Sequence, residues 1–393
     1  MGFMDLFSAA SMPVLKVLIV TALGSFLALD SIDILGEASR KHVNNLVFFV
    51  FNPALVASNL AGTITYESMI ALWFMPVNIL LTFIIGSALG WVLTIIAKPP
   101  QHLKPLILGT CAAGNLGNML LIIIPAVCKE QGSPFGDSDV CNTNGTAYAS
   151  LSMAVGAVFL WSYVYNLVRL CSGPAQDSGN NKSITVQNDL TESLLPSSAP
   201  STPVNGKLKV KLNGMKQQLG KVLKQVNFKA IFAPSTFGAI VGFVIGTIAP
   251  MRKLIIGTTA PLRVIQDSAT LVGNAAIPVV TLVVGGNLLK GLKGSGISLP
   301  IVLGIAAVRY VFLPLCGILV VKGALYFGLL HADPLYLFVL LLQFALPPAM
   351  NIGTIMQLFG AGESECSVIM LWTYCLASIS LTLWSTFFMW LVT

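Results

Sequence analysis

The chain has 393 residues, of which 55% are hydrophobic and only 9% are charged. Soluble domains carry about 25% charged residues, so this composition excludes a water-soluble globular protein and requires lipid as the main solvent. The net charge of +7 is concentrated in a polar stretch over residues 172–228 and in short loops, as in loops that set membrane orientation. A nucleic-acid groove needs Arg and aromatic side chains, and this stretch has no Arg and one Phe, which excludes nucleic acid as a partner.

Ten apolar runs are long enough to cross about 30 Å of hydrocarbon. They are too long and too uniformly apolar for the alternating strands of a barrel, so they predict transmembrane helices. The runs lie at 13–30, 43–61, 69–97, 103–128, 146–171, 229–250, 268–289, 298–326, 334–359 and 365–392.

The polar stretch divides these runs into two sets of five. We predict a first five-helix repeat over 1–171, a linker over 172–228 and a second five-helix repeat over 229–393. The linker is rich in Ser, Pro, Asn and Lys and buries too little apolar surface to fold, so we expect it to be largely disordered. Most loop Lys and Arg fall on its side, which makes the linker cytosolic and places both termini on the opposite side. Because five is odd, the second repeat is inverted relative to the first, as in many transporters.

The two halves share a short motif in the fourth span of each repeat. The fourth span reads Asn115-Leu-Gly-Asn118, and the ninth reads Asn351-Ile-Gly-Thr354. A four-residue match is weak by itself, but its recurrence at the corresponding span supports an internal repeat. The sequence thus predicts an all-α integral membrane protein of ten transmembrane helices in two inverted repeats.

Two weaker matches extend the repeat. Aligning Gly86 of the third span with Gly317 of the eighth sets Asn78 opposite Arg309. An Asn and a Pro in the second span match an Asn and a Pro in the seventh. These four residues are candidates for gating: Asn52, Pro53, Asn274 and Pro278.

Proline and glycine are placed to interrupt the fourth and ninth spans. A Pro removes one N–H and blocks a carbonyl, and the freed backbone groups cannot face lipid. Pro347-Pro348 has this effect in the ninth span, and Gly114, Gly117 and Pro125 take the same part in the fourth. We predict broken helices 4 and 9 that cross near the midplane and offer their half-helix N-termini to an anion, particularly a carboxylate.

Donor side chains and prolines at this crossing form the predicted substrate site. Its candidate residues are Asn115, Asn118, Pro125, Pro347, Pro348, Asn351 and Thr354. The alternative is that Pro and Gly only kink the spans while the Asn side chains join neighbouring helices.

Arg309 lies in the middle of the eighth span, where a charge is costly and usually functional or paired. One interpretation is that it holds the negative charge of the substrate or acts in gating. The other is that it pairs with an acidic group, for which Asp30, Asp33 and Asp267 are the candidates.

The cysteines and histidines carry little predicted chemistry. Cys128 and Cys141 bracket one polar loop and are either a disulfide or two free thiols. The three His are far apart, and Cys/His zinc spacing is missing from the sequence, so we expect no metal site and no cofactor.

Three function classes fit these features. The sequence lacks the GxxxxGK(S/T), HExxH and GxSxG motifs, so we expect neither ATP use nor an enzyme. The leading hypothesis is an alternating-access carrier of a weak organic acid in the lipid bilayer. The alternatives are a sodium-coupled organic anion symporter, which the lack of mid-span carboxylates in the crossing helices disfavours, and a non-transporting receptor or scaffold. The sequence leaves the oligomeric state open, with a homodimer as one candidate.

Several strings resemble the PIN-LIKES (PILS) family of plant auxin transport facilitators, in the auxin efflux carrier group. They cover both membrane halves, and the Pro-Pro-Ala-Met-Asn-Ile-Gly-Thr string is the most specific. The strings are Trp73-Phe-Met-Pro-Val-Asn78, Ala113-Gly-Asn-Leu-Gly-Asn118, Gly257-Thr-Thr-Ala-Pro-Leu-Arg263, Leu342-Gln-Phe-Ala-Leu-Pro-Pro-Ala-Met-Asn-Ile-Gly-Thr354 and Glu365-Cys-Ser-Val-Ile-Met-Leu-Trp-Thr-Tyr374.

This resemblance implies ten spans arranged as a scaffold and a transport domain. It implies that auxin, indole-3-acetic acid, binds beside the crossing helices 4 and 9. It also implies an endoplasmic reticulum membrane location and a part in auxin homeostasis and signalling. The matching positions in this chain are Asn115, Asn118, Pro125, Pro347, Pro348 and Asn351.

Overall fold

The computed structural model describes residues 15–16, 18–65, 70, 72–129, 133–171, 234–292 and 296–392. In this part of the chain the regular secondary structure is helical, and residues of both halves belong to one compact unit. The predicted linker at 172–228 lies outside the described residues, so its disorder and the boundaries of the two repeats stay predictions.

The helices follow the apolar runs in chain order. Those of the first half are α1 (Leu18–Leu27), α2 (Glu37–Thr63), α3 (Phe74–Ala97), α4 (Lys104–Ala112), α5 (Asn118–Lys129) and α6 (Ser138–Cys171). Those of the second half are α7 (Pro234–Thr247), α8 (Ala249–Ile255), α9 (Arg263–Asn274), α10 (Ala276–Leu292), α11 (Leu299–Tyr326), α12 (Pro334–Leu342), α13 (Asn351–Leu358) and α14 (Glu363–Val392). Wider π turns lie within α2, α6 and α11, at Val47–Phe51, Leu160–Val164 and Val308–Phe312.

Within the described residues, six helices are long and apolar enough to cross a membrane. They are α2, α3, α6, α9 together with α10, α11 and α14. The pair α7 and α8, bent by 101°, makes a seventh if it counts as one span. By length and composition the described part of the chain is therefore that of an all-helical membrane protein, and it supplies six or seven spans. The ten-helix arrangement needs the shorter α1 and the two interrupted runs as well.

The outer faces of the long helices expose large apolar side chains. Ile96 and Leu319 are each 74% exposed, and Trp390 is 71% exposed. Apolar surface of this extent is unfavourable in water, whereas lipid tails are as apolar as the side chains themselves. The exposed faces are thus suited to lipid.

The fourth and ninth runs are each divided by a non-helical segment. The first break, residues 113–117, separates α4 from α5 and contains Gly114. The second break, residues 343–350, separates α12 from α13 and contains Pro347-Pro348. The breaks lie where the sequence places its Gly and Pro-Pro signals, and the four half-helices are too short to cross the bilayer singly.

Pro125 does not interrupt the fourth run, so its predicted part in breaking that span was wrong. It lies inside α5, which continues from Asn118 to Lys129. Membrane helices tolerate an internal Pro where neighbouring helices and local adjustment accommodate the freed carbonyl. The break lies instead at residues 113–117, where another segment supplies hydrogen bonds to the backbone.

Helices α2 and α7 are in close contact through glycines four residues apart. A Cβ added to Gly242 would lie 2.5 Å from the Ala57 carbonyl oxygen, and one added to Gly246 would lie 2.7 Å from that of Ile64. Glycines at this spacing let membrane helices pack backbone to backbone. This contact joins a helix of the first half to a helix of the second.

We expect Gly242→Ala to lower the stability of the folded protein by about 1–3 kcal/mol, because the added methyl group forces α2 and α7 apart. The measurement is the thermal midpoint of the detergent-solubilised protein. Gly323→Ala is the matched control, since a Cβ at Gly323 would meet no atom within 4 Å. Equal midpoints for the two variants would contradict the close contact.

A disulfide joins Cys128 at the end of α5 to Cys141 near the start of α6, with the two Cα atoms 5.5 Å apart. Both cysteines are buried. The bond settles the choice that the sequence leaves open between a disulfide and two free thiols. It ties the second half of the interrupted fourth run to the next helix.

Alkylation should therefore distinguish two classes among the seven cysteines. The five others have free thiols, so the denatured but unreduced protein should take up five labels, and seven after reduction. Mass spectrometry of the intact protein measures the count. Seven labels without reduction would show that the disulfide does not form.

Candidate functional site

The two breaks pair with each other through their backbones. The Asn115 N–H donates to the Pro347 carbonyl at 2.8 Å, and the Ala349 N–H donates to the Ala113 carbonyl at 2.9 Å. Gly114 and Pro348 thereby form an antiparallel bridge. Since unpaired backbone groups are costly in hydrocarbon, each break stabilises the other. We call this paired region the crossing.

The side chain of Asn115 is tied to α14 by a buried tyrosine. Its Nδ2 donates to the Tyr374 hydroxyl at 2.8 Å, and that hydroxyl donates to the Pro348 carbonyl at 2.9 Å. Tyr374 thus connects the first break to the second. Sequence reasoning missed this role, although a buried Tyr normally finds a hydrogen-bond partner and Tyr374 lies inside an apolar span.

Arg309 lies in the π turn of α11 and is only 1% exposed. Its guanidinium donates to the carbonyls of Cys111 (Nη1, 3.1 Å), Pro347 (Nη2, 3.3 Å) and Leu346, which receives both Nε and Nη2. These oxygens belong to the end of α4 and to the second break. Arg309 therefore binds carbonyls on both sides of the crossing.

The interpretation that Arg309 pairs with an acidic group was wrong, because the acceptors at its guanidinium are backbone carbonyls. Asp267 instead pairs with Arg263 at 2.8 Å on an exposed surface. Carbonyls at interrupted helix ends provide acceptors that the residue types do not reveal, and they take the place of the expected carboxylate. The guanidinium also lies outside the lining of the cavity described below, which leaves no support for direct contact with a substrate.

A second buried network holds the end of α12. Asn78 of α3 donates from Nδ2 to the Leu340 carbonyl at 3.0 Å and to Gln343 Oε1 at 2.8 Å. Gln343 then donates to the Ser152 hydroxyl of α6 at 3.0 Å. All three side chains are buried. This network fixes the start of the second break to two helices of the first half.

A cavity of about 70 Å³ lies beside the crossing. It is lined by both breaks and by α2, α6 and α10. Its polar side chains are Asn52, Asn59, Asn115 and Asn351, and Trp161 contributes to its apolar wall. A buried water occupies about 10–15 Å³ on this measure, so the cavity has room for only a few waters in this conformation.

The cavity brings together three of the predicted residues. Asn115 lines it from the first break, Asn351 from the start of α13, and Asn52 from α2. Asn52 is buried, and among the described residues its Nδ2 has no hydrogen-bond partner. The residue that carries this unpartnered donor lines the cavity.

The other predicted residues lie around the cavity or away from it. Pro347 and Pro348 are backbone members of the crossing. Thr354 contributes its carbonyl to Asn44 Nδ2 at 3.1 Å and does not line the cavity. Asn118 begins α5.

Two candidates for gating are exposed, and a third faces another helix. Asn274 and Pro278 are exposed, and only their neighbours Ala276 and Ile277 line the cavity. Pro53 lies against Gly238 of α7. The repeat alignment matches these residues with one another, but their side chains do not meet at the cavity.

The arrangement can bind an anion without a fixed charge in the cavity. Residues at or just before the N-termini of α5 and α13 line it, at Gly117 and Asn351. Helix N-termini carry free N–H groups and a positive partial charge. The described residues contain no group of three His, Cys, Asp or Glu side chains placed to hold a metal ion.

Helices interrupted within apolar runs, with a polar cavity at their crossing, are typical of membrane transport proteins. A family model described as membrane transport protein matches residues 9–385, so the chain belongs to that family of transporters and not to an enzyme family. The chain is 54% identical over 392 residues to Protein PIN-LIKES 1 of Arabidopsis thaliana, which covers 100% of this chain and 81% of the relative. Within the transport family it belongs to the PIN-LIKES proteins, which confirms the resemblance found in the sequence.

Two further PIN-LIKES proteins of Arabidopsis thaliana match from end to end. Protein PIN-LIKES 3 is 54% identical over 389 residues, covering 99% of each chain. Protein PIN-LIKES 4 is 49% identical over 415 residues, covering 100% of each chain. The similarity therefore spans both halves of the chain.

We expect Tyr374→Phe to lower the thermal midpoint of the solubilised protein, because Asn115 and the Pro348 carbonyl both lose a buried partner. Hydrogen bonds between membrane helices contribute about 1–2 kcal/mol, which sets the size of the loss. The control is Tyr326→Phe, at a position that is 86% exposed. An unchanged midpoint for Tyr374→Phe would show that its hydroxyl does not join the breaks.

Proposed function

We propose that this protein is a membrane carrier of a small organic anion, with auxin (indole-3-acetic acid) as the substrate, and that it works by alternating access. The observation that carries the proposal is the cavity at the crossing, where Asn115, Asn351 and the unpartnered Asn52 donor meet. The substrate carboxylate binds there, beside the N-termini of α5 and α13.

The cavity walls favour a substrate with an apolar or aromatic body. Met153, Leu160 and Trp161 of α6 and Val280 of α10 line it together with the asparagines. Small-molecule sites combine such apolar walls with a few placed polar groups, but typically enclose about 300–1,000 Å³. The present conformation is narrower, so the lining helices must separate before the substrate can bind.

We propose that the chain spans the bilayer ten times as two inverted five-helix repeats. The repeat alignment pairs Gly86 with Gly317, and both glycines contact a broken run. A Cβ at Gly86 would lie 2.5 Å from the Cys111 carbonyl oxygen, and one at Gly317 would lie 2.5 Å from Phe344 Cγ. The antiparallel pairing of the two breaks also supports inversion, since a two-fold axis in the membrane plane relates such segments antiparallel.

Residues of α2, α6, α10 and both breaks line the cavity. Movement of some of these helices relative to the others would open it. We assign α2, α7 and α10 to a scaffold and the crossing with α3, α6, α11 and α14 to a transport domain. Relative movement of the two exposes the carboxylate site to each side in turn.

We propose an endoplasmic reticulum membrane location, with the linker in the cytosol and both termini in the lumen. The Lys and Arg distribution supports this orientation. The Cys128–Cys141 disulfide adds support, because it lies at the loop between the fourth and fifth runs, on the predicted luminal side. Disulfides persist in the oxidising lumen and are rare in the cytosol. In this membrane the carrier would sequester auxin and so act in auxin homeostasis and signalling.

We expect Asn115→Ala and Asn351→Ala each to lower the initial uptake rate by about tenfold or more, since a hydrogen bond to a charged group contributes about 1.5–3 kcal/mol. The measurement is uptake of radiolabelled indole-3-acetate by liposomes containing the purified protein. Asn144→Ala is the control, because Asn144 is exposed at the start of α6.

Unchanged uptake in both variants, with folded protein in the membrane, would rule out this site. Saturable binding of indole-3-acetate without accumulation would favour the receptor or scaffold hypothesis instead.

A further inference from the structure

Four aromatic side chains pack together next to the cavity, and one of them, Trp161, lines it. Phe48 of α2 stacks on Tyr165 of α6, with ring centroids 5.7 Å apart and planes inclined by 17°. Trp161 packs on both rings, at 5.5 Å from Phe48 and 6.3 Å from Tyr165. Phe359, directly after α13, packs on Tyr165 at 5.2 Å. We call these four rings the aromatic cluster, and it joins α2 to α6 and to the end of α13.

The aromatic cluster lies toward the end of α6, where the 172–228 segment begins. Phe48 of α2 meets Tyr165 near this end of the helix pair. Farther along the pair, Asn59 Nδ2 of α2 lies 3.8 Å from Met153 Sδ of α6, so the two helices run antiparallel. The second pair of residues lines the cavity, and the first pair lies beyond it. The cluster therefore covers the cavity on the side of the 172–228 segment.

The rings of the cluster are in contact and largely buried. Phe48 and Trp161 are buried, and Tyr165 and Phe359 are partly buried. Centroid separations of about 4.5–7 Å are typical of aromatic rings that touch. The four rings thus leave no gap among themselves through which a small organic molecule could pass.

Two π turns place these rings. The turn Val47–Phe51 of α2 contains Phe48, and the turn Leu160–Val164 of α6 contains Trp161 and directly precedes Tyr165. Single π turns within α-helices are rare and frequently lie at functional sites. Each holds one residue more than an α turn, so its loss would rotate the flanking side chains by about 100°, the angle per residue in an α-helix. Rewinding either turn would therefore take a ring out of the cluster.

A hydrogen bond joins α2 to α13 one turn farther from the cavity. Asn44, one turn before Phe48, donates from Nδ2 to the Thr354 carbonyl at 3.1 Å, and both of these residues are buried. Among the described residues, Asn44 Oδ1 is buried without a hydrogen-bond partner. Such an acceptor is costly and uncommon in proteins. Separation of α2 from α13 would let water reach it, so this contact is suited to opening and closing.

We propose that the aromatic cluster is a gate, which closes the cavity on the side of the 172–228 segment and opens when α2 separates from α6 and the end of α13. The Asn44 hydrogen bond breaks in the same movement. Since α2 belongs to the scaffold and α6 to the transport domain as assigned above, the ring contacts lie on the boundary between the two. That the gate admits an organic anion rests on the proposed function, whereas the closure of the cavity does not.

The test measures access to the cavity from each side with a thiol probe. Ala157 lines the cavity, so Ala157→Cys places a thiol there. The reagent is sulfonatoethyl methanethiosulfonate, which does not cross membranes and is either added to sealed vesicles or trapped inside them. A peptide tag inserted within residues 172–228, detected by antibody on the same vesicles, shows which face is outside. Peptide mass spectrometry reads position 157 separately from the native thiols.

We expect Phe48→Ala and Tyr165→Ala, each combined with Ala157→Cys, to raise the labelling rate from the side of the 172–228 segment by about tenfold. Each variant removes ring contacts that hold the cavity closed. The labelling rate from the opposite side should not rise, because the cluster closes one side only.

Phe83→Ala is the matched control. The Phe83 ring also packs on α6, against Phe159 and Tyr163, but it comes from α3 and does not line the cavity. This variant removes a buried ring of the same size from the same helix surface region of the protein core. It should leave both labelling rates at the values of the Ala157→Cys parent.

Three outcomes would overturn the proposal. They are equal labelling rates in the cluster variants and Phe83→Ala, fast labelling from the side of the 172–228 segment with all four rings in place, and a rise from both sides, which indicates general loosening. If Phe48→Ala does not fold, Phe48→Leu and Tyr165→Leu decide, since Leu keeps apolar volume without a ring. Labelling needs no substrate, so it tests the gate even if the protein does not carry indole-3-acetate.

Discussion

The hydrogen bonds that two interrupted helices lose inside the membrane are the constraint on which the rest of this structure depends. Lipid offers no replacement partners, so each break must be satisfied by protein. The Asn115 N–H and the Ala349 N–H bind carbonyls of the opposite break. Tyr374 and Arg309 bind the carbonyls that remain. Arg309 in the eighth run and Tyr374 in the tenth are thus buried because they bind carbonyls at the breaks of the fourth and ninth runs.

The groups that hold the crossing together differ from the groups that line the cavity. The positive charge of Arg309 is taken up by carbonyls, so it does not reach the cavity. The cavity keeps neutral amide donors, among them Asn52 and Asn351, and the positive ends of two half-helices. Under the proposed function, neutral donors and partial charges hold a carboxylate without the strong fixed attraction that would slow its release. Such a balance suits a carrier, which must bind its substrate and let it go.

Sequence reasoning succeeded where a signal is local and failed where the partner is remote. Pro347-Pro348 and Gly114 mark the breaks because they change the backbone at their own positions. Asn115 and Asn351 followed from a repeated motif, and both line the cavity. Asn274 and Pro278 came from a looser match and are exposed. Tyr374 was missed, because its partners lie 259 and 26 residues away along the chain.

Composition and apolar run length determined by themselves that this is a helical membrane protein, and the residue strings determined its family. These properties depend on the solvent that each segment requires and on local residue order. Only the tertiary structure decided that backbone carbonyls, rather than a carboxylate, bind Arg309, and that Asn52 shares a cavity with Asn115 and Asn351. The reason is physical: every peptide unit carries the same carbonyl, so the residue types cannot show which of them the fold leaves free to accept.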